Sequence, residues 1–256
     1  MTELIDTHTH LYLPDFKNDI DIIISRAVKE GVYRFYLPNI DSTVINDMLQ
    51  LESKYPESCF AMMGLHPCSV KENFEKELEI AENWLSKRKF AAIGEIGLDF
   101  YWDTTFKQEQ IKAFSLQVDW ALKYKLPVVI HSRNSLSDCI DIVRKKQNGA
   151  LTGIFHCFSG TKEDAEQIIE LNFLMGIGGV VTYKNSGLAE TIANIDLKNF
   201  VVETDAPYLT PVPFRGKRNE PAYLKYVVDK IAEVKNISYE EVAEVTTKNA
   251  KNLFGI

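Results

Sequence analysis

Several features that would assign a function at once are missing from this 256-residue sequence. Its four cysteines (Cys59, Cys68, Cys139 and Cys157) form no CxxC pair, which removes the common zinc-ribbon and thioredoxin-type patterns. Two of them lie in apolar surroundings, so reduced thiols are expected rather than a disulfide framework. The longest mostly apolar run, FLMGIGGVV at 173–181, is far too short to cross a bilayer. The amino terminus, MTELIDTHTH, lacks a basic segment followed by an apolar one, so no secretory signal is visible and a cytoplasmic protein is expected. Basic charge is in deficit, with 29 Lys and Arg against 36 Asp and Glu. General adhesion to nucleic acid needs a basic footprint, and the net charge argues against it without excluding a local basic patch. There is no G-x-S-x-G elbow, no GK[ST] phosphate loop, no H-E-x-x-H and no full dinucleotide fingerprint.

The sequence does contain a regular alternation. Short apolar runs (LIDTH, YRFYLPNI, CFAMMGLHP, FAAIGEIGLD, PVVIHS, LTGIFHCFSG, NFLMGIGGVV and NFVVETDAP) recur at fairly even spacing and read as eight strands. Amphipathic segments lie between them, including NDIDIIISRAVKEG, EKELEIAENWLSKRK, FKQEQIKAFSLQVDWALKYK and TKEDAEQIIELN, the last with Thr161 as its expected N-cap. Helices around EPAYLKYVVDKIAEVK and SYEEVAEVTTKNAKNLF end the chain. Strand–helix alternation implies parallel strands, and eight units suit an α/β (β/α)8 TIM barrel with residues 1–256 as a single domain. An open doubly wound sheet is the rival fold. Apolar content of 45% is enough for a core without disulfide staples.

Parallel barrels carry their chemistry at the carboxyl ends of the strands. The polar residues ending the apolar runs are His8 and His10, His66, Glu95, His131, His156, and Glu203 with Asp205. All five histidines of the chain thus fall at one end of expected strands. Residues i and i+2 of a strand share a face, so His8 and His10 should both aim inward, and Glu203 and Asp205 likewise. Neutral imidazoles bind divalent metals readily, and carboxylates supply anionic oxygen ligands. Four histidines and two carboxylates exceed one tetrahedral zinc and suit a two-metal site, which Glu95 could bridge. Arg215, Lys217 and Arg218 form a compact basic cluster after the last strand. Tyr101 and Trp102 could stack on a base or simply pack over the barrel mouth.

The segments DTHTHL, GLHP, GEIGLDFY, PVVIHSR, FHCFSG, ETDAPYL and RNEP, in this order, resemble the TatD family of metal-dependent hydrolases. These are the TatD-type deoxyribonucleases among the amidohydrolase-like barrels. The resemblance runs from residue 4 to the C-terminal helix. It implies two divalent ions (Zn, Mg or Mn), one held by His8 and His10 and one by His131 and His156. Glu95 would lie between them, and Asp205 would be a ligand that can also accept a proton. Glu95 and Asp205 are therefore the expected catalytic residues. His66, Arg133, Arg218 and Glu203 are expected to contact substrate.

The function so implied is hydrolysis of phosphodiester bonds in single-stranded DNA or at 3′ ends, as a 3′–5′ exonuclease. Nucleic acid is then the partner, no membrane is involved, and a monomer is expected. The same water-activating site would also serve a carboxylic ester, amide or lactone, including an aminoacyl ester on tRNA. A non-catalytic metal-binding protein is the remaining alternative.

Overall fold

A computed structural model describes residues 2–255. Among the described residues the chain alternates eight strands with nine α-helices. The strands are β1 (Leu4–Asp6), β2 (Val32–Leu37), β3 (Cys59–Ala61), β4 (Ile93–Asp99), β5 (Val128–Arg133), β6 (Gly153–Phe155), β7 (Phe173–Ile177) and β8 (Phe200–Val202). The helices are α1 (Ile20–Lys29), α2 (Ile45–Lys54), α3 (Phe74–Lys87), α4 (Lys107–Tyr124), α5 (Leu136–Lys146), α6 (Lys162–Glu170), α7 (Leu188–Ala193), α8 (Leu224–Lys235) and α9 (Tyr239–Phe254). Each of the eight expected runs contains a strand. GGVV at 178–181 does not continue β7; it turns into a 3-10 helix, Gly179–Thr182. Thr161 caps α6 as expected, in a reciprocal box with Asp164.

All pairings are parallel and run in chain order, β1 to β3 in one ladder and β4 to β8 in another. The ladders stop short of one continuous sheet, but backbone bonds cross both seams. Gly94 N–H donates to Met63 O (3.0 Å) between β3 and β4, and Thr7 N–H donates to Val202 O (3.1 Å) between β1 and β8. This is the TIM-barrel arrangement of a parallel sheet buried on both faces. Outward-facing residues such as Phe35, Ile130, Phe155 and Met175 form the large core beneath the helices.

The interior is a separate, smaller apolar layer. Ile5, Tyr36, Met62, Ala92, Val129, Ile154 and Val201 come from successive strands or their edges and pack together. Helix α9 covers this end, with Phe254 stacked on Tyr36 (centroids 3.7 Å apart). Two residues beyond Val129, Ile154 and Val201 come His131, within β5, and His156 and Glu203, just past the ends of β6 and β8. Period-two geometry therefore places the ionisable residues one layer above the apolar one. Among the described residues no helix is long and apolar enough to cross a membrane.

Candidate metal centre

Glu95 sits at the middle of the upper layer, 2% exposed, with all five histidines around it. Its two oxygens face different partners. Oε2 lies 3.1 Å from His8 Nε2 and 3.5 Å from His10 Nε2. Oε1 lies 3.0 Å from His131 Nδ1, 3.3 Å from His156 Nε2 and 3.4 Å from His66 Nε2. Asp205 Oδ1 closes the first group, 3.5 Å from His10 and 3.7 Å from His8. No lysine or arginine pairs with Glu95 or Asp205 among the described residues.

Strand alternation does not by itself bring His8 here. Ile5 faces the interior, and His8 is an odd number of residues beyond it, so strict alternation would turn His8 outward. The strand ends at Asp6 and the chain bends at Thr7 and His8, which resets the phase. Asp6, which the sequence pattern does not single out, holds the bend. Its Oδ1 accepts N–H bonds from His8 (3.3 Å) and Thr204 (2.9 Å), and its Oδ2 accepts the Thr204 hydroxyl (2.5 Å). Burial pushes the Asp6 carboxyl up to about 8 against these bonds. A similar phase change precedes Glu95, where the β4–β5 register shifts between Ile93 and Ile96. Gly97, at φ 142°, then passes so close to β5 that a Cβ would stand 2.0 Å from His131 O. Asp205 also leaves the strand pattern, at φ 55°, as does Cys157 beside His156, at φ 49°. Left-handed non-glycine residues of this kind gather at functional sites.

The hydrogen-bond network assigns the imidazole tautomers, and these test whether the group suits a metal. Tyr12 O–H donates to Pro38 O, so its oxygen accepts from His10 Nδ1–H (2.9 Å) and leaves Nε2 with a free lone pair. His156 Nδ1–H donates to Glu203 Oε1 (3.0 Å), and His131 Nε2–H donates to Asp99 Oδ2 (2.8 Å). When neutral, each of these three rings turns an unprotonated nitrogen toward Glu95 while a protein oxygen holds its other side, the usual setting of a metal-ligating histidine. Without a cation the neighbouring carboxylates outweigh burial and hold His10, His131 and His156 above the usual imidazole range, so an ion bound there would displace protons. Burial, reinforced by His156, lowers the pKa of His8 and favours the neutral ring, as a ligand requires. The donor set therefore fits divalent metal ions. His8, His10 and Glu95 form one group of possible ligand atoms; His8, His156 and Asp205 form another.

His66 differs. Its Nδ1 accepts the Cys68 N–H (3.1 Å), so the proton resides on Nε2, the atom facing Glu95. It also falls in a group with Glu95 and His131 of metal-binding size, but its tautomer makes it a hydrogen-bond donor. Burial pushes the Glu95 carboxyl up, and the surrounding imidazoles, His66 first, outweigh this and hold it well below the usual carboxylate range.

A cavity of about 660 Å³ opens over the group, lined by His10, His66, His131, Arg133, His156 and Asp205 among others. Two expected substrate contacts lie elsewhere. Glu203 is fully buried beneath His156, where it also accepts the Cys157 N–H (2.5 Å). Gly176 makes room for it, since a Cβ there would lie 2.2 Å from Glu203 Oε2. Arg218 turns away from the cavity to pair with Asp19 (2.6 Å). The rest of the basic cluster lies against aromatic rings, Arg215 on Tyr183 and Lys217 on Phe214. Asp99, which bonds His131, ends no apolar run in a way that marks it as a ligand; the only sequence signal is its place in GLDFY, two residues before Tyr101, which suits a turn.

Comparison with known proteins agrees with this geometry. The family model described as TatD related DNase matches residues 5–255. The chain belongs to the TatD family. It is 39% identical to the uncharacterized metal-dependent hydrolase YabD of Bacillus subtilis, over 99% of each chain. It is 31% identical to the uncharacterized metal-dependent hydrolase YcfH of Escherichia coli K12, covering 99% of this chain and 96% of that one. The crystal structure of the TatD homologue YjjV from E. coli K12 superposes with a TM-score of 0.93 at 30% identity, covering 99% and 98% of the two chains. The protein is thus a TatD-family metal-dependent hydrolase with a TIM-barrel fold.

Proposed function

We propose that this hydrolase is a deoxyribonuclease acting on single-stranded DNA or 3′ ends with two divalent ions, Zn, Mg or Mn. The observation that carries the reading is the division of Glu95, one oxygen toward His8 and His10, the other toward His131 and His156. His8 and His10 would hold one ion and His131 and His156 the other, with Glu95 between and Asp205 completing the first. Ions bound there supply water activation near neutral pH and draw charge from the phosphoryl oxygen.

The side chains divide the remaining work. Asp205 is 14% exposed at its side chain against 3% for Glu95, so it is the carboxylate able to pass a proton on to solvent. It would orient the attacking water and accept its proton. Arg133 is the one Lys or Arg lining the cavity among the described residues and would hold the phosphate. His66 lines the same cavity, and its Nε2–H, which faces Glu95 Oε1 at 3.4 Å, would turn to the phosphate where ions take up the Glu95 oxygens. The family described as TatD related DNase supports phosphorus over carbon as the centre attacked.

The test is metal analysis of the purified protein, then single-stranded DNA, RNA, aminoacyl-tRNA and aryl esters assayed with each ion. The expected result is hydrolysis of single-stranded DNA, with Asp205→Asn folded and about 10²–10⁴-fold slower. Preference for a carboxylic ester, or near wild-type turnover by Asp205→Asn at saturating metal, would overturn the reading. His131→Ala must abolish the activity, since a contaminating nuclease would be indifferent to it.

A further inference from the structure

The outer rim of the cavity carries a feature that metal binding does not use. Trp102 is 69% exposed and Tyr101 53% exposed, adjacent in the chain and in space. Single exposed apolar side chains are unremarkable, but a contiguous aromatic patch at a cavity mouth marks a binding surface. The Arg133 guanidinium lies over both rings, 3.9 Å from the Tyr101 centroid and 4.9 Å from that of Trp102. The two rings meet edge to face (84°) and do not stack on each other, and the indole is left largely to solvent.

One side chain ties this patch to the metal centre. Asp99 Oδ1 accepts the N–H groups of Tyr101 (3.0 Å) and Trp102 (3.2 Å), while Oδ2 holds His131 Nε2 (2.8 Å). Arg133 is two residues beyond His131 on the same strand, and Arg133, His131 and Trp102 all line the cavity. The separation between the indole and the reacting centre is therefore set by a single carboxylate and one strand.

We propose that Trp102, supported by Tyr101 and Arg133, is a stacking platform for one nucleobase of a single-stranded nucleic acid whose phosphodiester lies at the metal centre. This rests on the nuclease reading. Charge explains why such a platform is needed. A protein of net charge −7 whose basic cluster lies outside the cavity has little electrostatic grip on a strand, so the affinity must come from another source. Stacking supplies it and tolerates any base, because every base has a π-face. A cavity of about 660 Å³ is of the size that takes a small ligand or a short stretch of strand.

The probes are a fluorescein-labelled octathymidylate and an abasic octamer with the same phosphates. Binding is read by anisotropy in calcium, with cleavage followed on gels in magnesium, manganese and zinc. Wild type should bind octathymidylate about tenfold more tightly than the abasic strand. Trp102→Ala should lose that difference, and Trp102→Phe should keep most of it. Octathymidylate should quench the wild-type tryptophan emission and leave that of Trp102→Phe unchanged, since the quenched indole is gone. Equal wild-type affinity for the two strands, or unchanged affinity in Trp102→Ala, overturns the platform even if the enzyme cleaves DNA. Base-dependent binding without cleavage upholds the platform and overturns the nuclease reading.

Discussion

Val129 and His131 lie two residues apart on one face of β5, and Ile154 and His156 stand in the same relation at β6, as do Val201 and Glu203 at β8. The first member of each pair is apolar, fully buried and packed in the lower layer of the barrel. The second is ionisable and belongs to the metal centre or its support. Only about 7 Å of strand separates the layers. The lower layer gains from burial and is sealed by α9. The upper one spends burial on charge and on left-handed backbone, which lowers stability unless something binds. One strand can therefore serve stability and chemistry at once, because its rise separates them.

Substitutions in the two layers should have opposite signatures. Glu95→Gln should give the largest effect. Hydrolysis should fall to background, and the rise in Tm on adding metal should vanish, because that rise measures binding to the native state. A metal-induced Tm shift that survives would mean Glu95 is not shared between ions. Ile154→Ala, one layer below, should cost about 2–5 kcal/mol in denaturant unfolding. At temperatures where it remains folded, its metal content and KM should match wild type. If Ile154→Ala instead loses metal, the layers are not independent and the comparison fails.

His66→Ala separates members of the upper layer from one another. The tautomer assignment makes His66 a donor and His131 a ligand, although both approach the same oxygen of Glu95. Loss of a hydrogen bond to a charged group is worth about 1.5–3 kcal/mol, so KM for a phosphodiester should rise tenfold or more. Metal content by atomic emission should stay at the wild-type level. A fall matching that of His131→Ala would place His66 among the ligands.

How much of this was legible beforehand varied with the distance over which a residue acts. The eight strands were visible because apolar runs are local, and the histidines because each ends such a run. Helices α2, α5 and α7 lay between runs without distinctive caps or length, and were not singled out. Phase was harder. The sequence places His8 and His10 on a shared face, but the bend at Thr7 and His8 that turns them inward depends on Asp6 bonding Thr204, 198 positions away. Glu203 and Asp205 looked equivalent by alternation. The left-handed turn at Asp205 brings its carboxylate to His8 and His10, and Glu203 is left beneath His156. The basic RGKR segment suggested phosphate binding, whereas the cation lining the cavity is Arg133, whose neighbours Tyr101 and Trp102 come from another strand's loop.

Arg218 provides the smallest effect and the sharpest contrast with Arg133. Its guanidinium donates to Asp19 through both terminal nitrogens (3.1 and 2.6 Å) and to the Asp15 carbonyl, and it lies over the Phe16 ring. Next to it, Asn219 bonds the carbonyls of Thr204 and Tyr208, and Glu220 holds Arg26. The RNEP segment therefore clamps α1, through Asp19 at its start and Arg26 in its last turn, to the loop after β8. Both partners of the Arg218–Asp19 pair are about a third exposed at their side chains, so Arg218→Ala should cost only about 0.2–1 kcal/mol. Arg218 holds the Asp19 carboxyl below its usual range. A depressed carboxyl stabilises the fold above its unfolded-state pKa, about 3.9, and loses that contribution as pH falls through the folded value. The Tm difference between wild type and Arg218→Ala should accordingly be present at pH 7 and shrink progressively below about pH 4. Substrate KM should change less than twofold at pH 7, where Arg133→Ala should raise it sharply; a comparable rise in Arg218→Ala would bring the clamp into the binding site after all.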